Sequence, residues 1–202
     1  MNILFTSRIG WFALFLGAGV LFSGPLRAAD PTLESGWTEP VVQVDRDGDG
    51  FQIRASVLVS VTRCEAYQFL TDYEGATAIP GVLESRIISR NHNKVQVHRL
   101  VRESILFVPI KLRSVIEYTE IAEKGVEFNQ LQGDALQYRG EWIIEPIERG
   151  VEFRYSARFV PNSSIPMFVI EYFIGNRMKQ QFSAVAKQML NQKSKFSIAC
   201  KE

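Results

Sequence analysis

The segment Pro166–Leu190, PMFVIEYFIGNRMKQQFSAVAKQML, constrains the fold more than any other stretch. Phe168, Tyr172, Gly175, Met178, Phe182, Val185 and Met189 recur at steps of three and four, which predicts that they share one face of a helix. Pro166 suits a first helical turn, and Ser164 is its candidate cap. In the second half Lys179, Gln180, Lys187 and Gln188 lie off the stripe. In the first half Val169, Ile170, Phe173 and Ile174 make the helix apolar nearly all round. A helix end of that kind needs more than one covering partner: core, ligand, membrane or another chain. Most of the preceding chain reads as strand, so the expected fold is α+β, a curved antiparallel sheet around one long C-terminal helix.

The chain has 202 residues, 46% of them hydrophobic and 22% charged, which suits one domain with a substantial core. Its net charge of +1 and the even spread of Lys and Arg give no nucleic-acid signature. Residues 1–29 read as a secretory signal peptide: Arg8 supplies the positive region, Ile9 to Phe22 is almost wholly apolar, and Ala28 or Ala29 offers the cut. The apolar run is shorter than the roughly 20 residues of a spanning helix. The expected location is therefore outside the cytoplasm, in the periplasm. Residues 30–40 read as a linker, 41–192 as the domain and 193–202 as a tail. Export directs attention to Cys64 and Cys200, the two cysteines of the chain. They form either one disulfide or a buried thiol with a frayed tail.

Asp45-Arg46-Asp47-Gly48-Asp49-Gly50 resembles the opening of a calcium loop, but Ser56 stands where the bidentate Glu is required. Asp-Gly pairs between Val41–Val44 and Phe51–Ile53 instead predict a hairpin turn. Phe51, Ile53, Ala55, Val57, Val59 and Val61 alternate with polar residues, the pattern of a half-buried strand. Thr62 and Glu65 form a capping box for a short helix over Arg63–Asp72, which Gly75 ends, and a second short helical turn precedes Pro80-Gly81. Six strands follow: Val82–Arg90, Lys94–Glu103, Ile110–Ala122, Val126–Gln132, Leu136–Ile147 and Val151–Val160. Their joints carry the Asn or Gly of tight turns. The inward-facing sets include Leu112, Ser114, Ile116 and Tyr118; Val126, Phe128 and Gln130; Leu136, Tyr138, Gly140, Trp142 and Ile144; and Val151, Phe153, Tyr155, Ala157 and Phe159.

This order of elements resembles the helix-grip fold of the START-like superfamily, which also holds the Bet v 1-type allergens. Phe69-Leu70-Thr71-Asp72-Tyr73-Glu74, Ile79-Pro80-Gly81 and Gly140-Glu141-Trp142 are similar to the polyketide cyclase/dehydrase and coenzyme Q-binding branch. The resemblance spans about residues 41 to 192. It implies a hydrophobic cavity between the sheet and the last helix, and ligands such as lipids, quinones or polyketides. The secretory segment departs from the quinone chaperones of that branch.

No catalytic or metal signature accompanies this fold. His92 falls in a turn and His98 on an outward strand position, without partners at metal or triad spacing. Asp72, Glu74 and Glu141 are dispersed, and no cofactor motif occurs. Arg99 shares a strand face with Val95, Val97 and Val101, so it needs a partner or a ligand's acidic or carbonyl group. The candidate ligand-binding set is Phe69, Tyr73, Arg99, Tyr118, Phe128, Gln130, Tyr138, Trp142, Tyr155, Phe168, Tyr172 and Gly175. These residues line a cavity or pack as a filled core with Arg99 at its edge. The apolar run Ser104–Ile110 sits where a polar turn is expected. It is either a portal beside the start of the last helix, touching a membrane, or a strand tucked beneath it. Three functions fit: an exported binding or carrier protein for a lipid, isoprenoid or quinone-like molecule; a cyclase or dehydrase using the same cavity; and a protein-interaction module. The first is the expectation carried forward.

Overall fold

Strict two-residue alternation becomes a sheet with one wet and one dry face. In the computed structural model, which describes residues 35–105 and 108–200, β1 (Val41–Asp47) and β2 (Gly50–Val59) form a hairpin. Asp47 pairs with Gly50 across the turn, and Gly48 takes φ 59°, a conformation natural to glycine. The carboxylates of Asp47 and Asp49 meet the guanidinium of Arg158, so the Asp-Gly repeat is a braced turn. The signal-peptide segment 1–29 lies outside the described residues.

After α1 (Arg63–Thr71) and a 3₁₀ turn (Gly75–Ala78) come β3 (Val82–Asn91), β4 (Lys94–Ile105), β5 (Val108–Ile121), β6 (Gly125–Gly133), β7 (Ala135–Ile147) and β8 (Gly150–Pro161). Among the described residues the eight strands make one antiparallel sheet in the order β1–β2–β8–β7–β6–β5–β4–β3. The β3-to-β8 meander thus closes onto β2. The long helix α2 (Met167–Asn191) lies against the inner face, and α3 (Lys193–Ala199) follows it. This is the helix-grip arrangement. Phe51, Val57, Val59, Val151, Phe153, Phe182 and Met189 are almost wholly buried and form its tightest core. Among the described residues no helix is long and apolar enough to cross a membrane.

Several local expectations need correction. The stripe expected on α2 holds from Met178 onward but not before it. Phe168 is 67% exposed, Tyr172 is 77% exposed, and Gly175 faces open space. Ile170 and Ile174 are buried instead. Ile170, Ile174, Met178, Phe182, Val185 and Met189 obey the same three-and-four spacing, so both stripes satisfy helical periodicity. In the first half, apolar on every side, the docking surface of the sheet chooses between them. Pro166, not Ser164, occupies the N-cap position of α2, without a side-chain cap.

Leu136 and Leu112, expected inward, are exposed; Leu136 is the extra residue where the pairing of β7 with β8 shifts between Ala135 and Gln137, a bulge that breaks the alternation. The first helix ends on Asp72; Gly75 instead opens the 3₁₀ turn, its N–H donating to Asp72 Oδ1 at 3.1 Å. The end of the segment read as a linker is docked: Trp37 bridges to Val59 and packs on the core, with Lys187 Nζ 5.3 Å from its ring centroid. Residues 193–199 of the expected tail are helical, and Cys64 is bonded to Cys200.

Candidate functional site

The site begins with the capping box. Thr62 Oγ1 accepts from the Glu65 N–H at 3.2 Å, and Glu65 Oε2 accepts from the Thr62 N–H at 2.8 Å. Burial raises the Glu65 pKa, but hydrogen bonds from Ser197 and Thr62 outweigh it and leave the carboxyl below its ordinary value. With its start fixed, α1 delivers Phe69 and Leu70 to the inner side of the sheet. The turn after it is pinned by Ser85 Oγ, which donates to the Tyr73 carbonyl at 2.5 Å. Tyr73 then enters the interior, its ring centroid 4.7 Å from that of Tyr118 on β5.

From Tyr118 the aromatics continue across the sheet. Phe128 lies 6.1 Å from Tyr118, 4.9 Å from Tyr138 and 5.8 Å from Tyr155. Trp142 then meets Tyr155 at 4.7 Å and stacks on Phe182 of α2 at 5.0 Å. Much of the interior is therefore filled by rings. A cavity of about 100 Å³ remains beside them, lined among others by Phe69, Tyr73, Arg99, Tyr118, Trp142 and Val185.

Polar groups in this apolar corner are unmatched. Tyr73 is 3% exposed, and no group meets its hydroxyl in hydrogen-bonding geometry among the described residues, although the Glu120 carboxylate lies near enough to act on the phenol. Arg99 Nε likewise meets no partner among the described residues, while the Arg99 guanidinium lies 5.8 Å from the Tyr118 ring centroid. Buried donors are nearly always paired, so two without partners on residues of one cavity stand out. Burial, with the Glu120 carboxylate second, pushes the Tyr73 pKa far up. Burial likewise pushes Tyr138 up to about 12 and Tyr155 well above its ordinary value, with their hydroxyls 3.0 Å apart. At neutral pH these phenols are uncharged donors. The Asp72 carboxylate is occupied, accepting from Gly75 N and from Lys195 Nζ at 2.6 Å.

The family follows from residues 59–189, which match the model for "Polyketide cyclase / dehydrase and lipid transport". The chain belongs to that family. Solved structures agree on the fold at low identity. A STAR-related lipid transfer protein of Xanthomonas axonopodis superposes with a TM-score of 0.62 at 15% identity, covering 76% of this chain and 98% of that one. A protein of Thermus thermophilus gives 0.62 at 15%, covering 69% and 97%. The Zhui aromatase/cyclase of a Streptomyces species gives 0.60 at 12%, covering 70% and 94%. No curated protein sequence matches the chain significantly.

In this cyclase/dehydrase and lipid transport domain the sequence-derived site residues fall into three groups. Phe69, Tyr73, Arg99, Tyr118 and Trp142 meet at the cavity. Phe128, Tyr138 and Tyr155 pack behind it, and Gln130 spends its amide on the Ala135 carbonyl at 2.9 Å. Phe168, Tyr172 and Gly175 are turned outward. Reasoning from sequence left out Asp72, Ile79, Phe153, Val185 and Gln192, which also line the cavity. Phe153 and Val185 stood in the inward sets, and Asp72 and Ile79 in the quoted motifs, so the signals were present.

The expected portal is latched by polar groups. β4 and β5 pair as far as Ile105 with Val108; Leu106 and Phe107 lie outside the described residues. Glu103, buried on β4, meets Arg177 of α2 at 2.6 Å and accepts from Gln181 at 3.2 Å. Arg177 also donates to the Pro80 carbonyl at 3.2 Å. An open cleft of about 390 Å³ adjoins this latch, with Pro109 and Phe173 in its wall.

Proposed function

We propose that the chain is an exported binding protein for a hydrophobic small molecule whose polar end carries a carbonyl or acidic acceptor. The observation that carries this reading is the pair of unmatched donors, Tyr73 Oη and Arg99 Nε, on two residues that line a mainly aromatic and aliphatic cavity, with Asp72 and Gln192 also in its wall. Ligand pockets are commonly about 300–1,000 Å³, so a cavity of about 100 Å³ suits a compact ring and accommodates an acyl chain only if side chains move. A quinone-like head, planar with carbonyl acceptors, meets these demands better than a saturated lipid tail. The neighbours in fold, a lipid transfer protein and an aromatase/cyclase, are compatible with such cargo.

The enzyme reading draws support from the same donors, which would polarise a carbonyl. Among the described residues Asp72 of the cavity wall is paired, and the phenols of Tyr138 and Tyr155 behind it are held protonated, so none of the three offers a free base. Export is supported by the Cys64–Cys200 bond, since disulfides persist in oxidising compartments. Transient membrane contact through Ile105–Ile110 and the start of α2 is supported by the exposed Val108, Phe168 and Tyr172. N-terminal sequencing of the protein from its own host checks the cut near Ala28.

The deciding experiment measures thermal shifts of the mature protein with a small naphthoquinone, an aromatic carboxylate and a saturated fatty alcohol. The first two are expected to raise Tm and the third to leave it unchanged, with the shift lost in Arg99→Met. Equal shifts in Arg99→Met and wild type, or no shift from any compound, would overturn the reading.

A further inference from the structure

Cys64 lies in the first turn of α1 and Cys200 directly follows α3. Their bond joins segments 136 residues apart. α3 is only seven residues long and has no side-chain cap at its start, so it cannot hold a helical form unaided. Its packing is on α1 and on the end of α2. Phe196 is buried edge-on against Phe69, with centroids 6.0 Å apart. Lys195 reaches Asp72, and the Ser197 hydroxyl meets the Glu65 carboxylate of the capping box. Phe69 and Asp72 both line the cavity, as does Gln192, from which α3 departs. α3 is thus a strap drawn across the α1 wall of the cavity, and the disulfide fastens its C-terminal end.

We propose that the Cys64–Cys200 bond is a redox-operated catch: bonded, it holds the α1 wall closed over the ligand, and reduced, it lets α3 lift and the wall open. The proposal rests on the reading of the cavity as a ligand site. Both cysteines are partly exposed residues, and the reductant the proposal requires is a dithiol. One thiolate of the reductant attacks a sulfur of the bond, forms a mixed disulfide and expels the other cysteine as thiolate. The second reductant thiolate then resolves the mixed disulfide. Two electrons and two protons pass to the cysteine pair, giving two thiols, and the reductant leaves as a disulfide. The core of the sheet is separate from the strap: Phe51, Phe153, Phe182 and Met189 are buried on β2, β8 and α2, and Phe153 and Phe182 pack on Trp142 of β7.

The test compares hydrogen exchange of the full chain before and after dithiothreitol, with Cys200→Ser as a permanently open form. Exchange in 193–200 and 63–71 is expected to rise about tenfold or more while β2 and β8 stay protected. Anilinonaphthalene sulfonate, an apolar ring with an acidic group, is expected to bind several-fold faster to the reduced and Cys200→Ser forms than to the oxidised one. Unchanged exchange, or acceleration spread evenly through the sheet, overturns the catch in favour of a global staple. Release of α3 with equal probe rates overturns the gating alone. Probe binding to neither form refutes the cavity reading and the gating with it, while the exchange data still decide whether the strap lifts.

Discussion

The wall made by β2, β8 and the second half of α2 and the corner made by α1, β4 and β5 face the same interior, yet they solve opposite problems. Along the wall Phe51, Phe153, Phe182 and Met189 are at most 1% exposed, and each is surrounded by apolar neighbours. In the corner a buried phenol and a buried guanidinium nitrogen lack partners beside a cavity. An unmatched buried donor costs about 1–3 kcal/mol. A domain of marginal net stability tolerates that cost only where other regions are packed without defect. The wall supplies stability, and on the proposed reading the corner keeps an unmet demand that a ligand satisfies.

The largest test of this division is Phe182→Ala. It removes the ring stacked on Trp142 and leaves a void in the wall, with an expected loss of about 3–5 kcal/mol in urea unfolding. A loss below about 1 kcal/mol would mean that the wall relaxes as readily as the corner, and the contrast would fail.

Alkaline pH probes both regions through their phenols. Burial raises the pKa of Tyr73, Tyr138 and Tyr155, so the folded state prefers them neutral. Their stabilising contribution is complete below the unfolded tyrosine pKa near 10 and is lost as pH rises above it. The slope is about 1.4 kcal/mol per pH unit for each group. Spectrophotometric titration should show these phenolates appearing together with unfolding. Free ionisation of all tyrosines near pH 10 in the folded protein would place the corner in solvent.

How much was legible beforehand follows the same line. β2 and β8 were plain because alternation of polar and apolar residues has one solution when one face is buried. The capping box was plain because it is local. Arg99 could be assigned an inward phase from Val95 and Val97, since a strand has only two faces. The first half of α2 could not be phased, because apolar residues surround it and tertiary docking alone separates Ile170 from Phe168. KSKFSIA is too short to show a period, so α3 read as tail. The Glu103–Arg177 latch and the size of the cavity depend on contacts between distant segments, which no spacing in the chain encodes.

That latch gives an intermediate effect. Glu103→Ala leaves Arg177 with the Pro80 carbonyl as a remaining partner. Removing one member of a buried pair commonly costs about 3–5 kcal/mol, and the part-exposed guanidinium lowers the expectation to about 1–3 kcal/mol. Exchange should quicken at Gly81 and at the tip of β4 rather than in the wall. An effect spread over β2 and β8 would show that the two regions unfold as one unit.

The smallest stability effect carries the sharpest contrast. Tyr73→Phe removes a hydroxyl that has no partner and keeps the ring on Tyr118, so unfolding free energy should change by less than about 1 kcal/mol, toward greater stability. Elsewhere in the interior, deleting a buried polar atom normally costs stability because its partner is left behind. Here the partner is expected to arrive with the ligand, so the loss should be read in binding: a weaker thermal shift with the naphthoquinone and an unchanged or higher Tm without it. A clear loss of stability in the apoprotein would mean that the hydroxyl is already satisfied, with Glu120 the nearest candidate, and the corner would then be an ordinary core. The outcome separates a site held open for an acceptor from a packing flaw that happens to contain one.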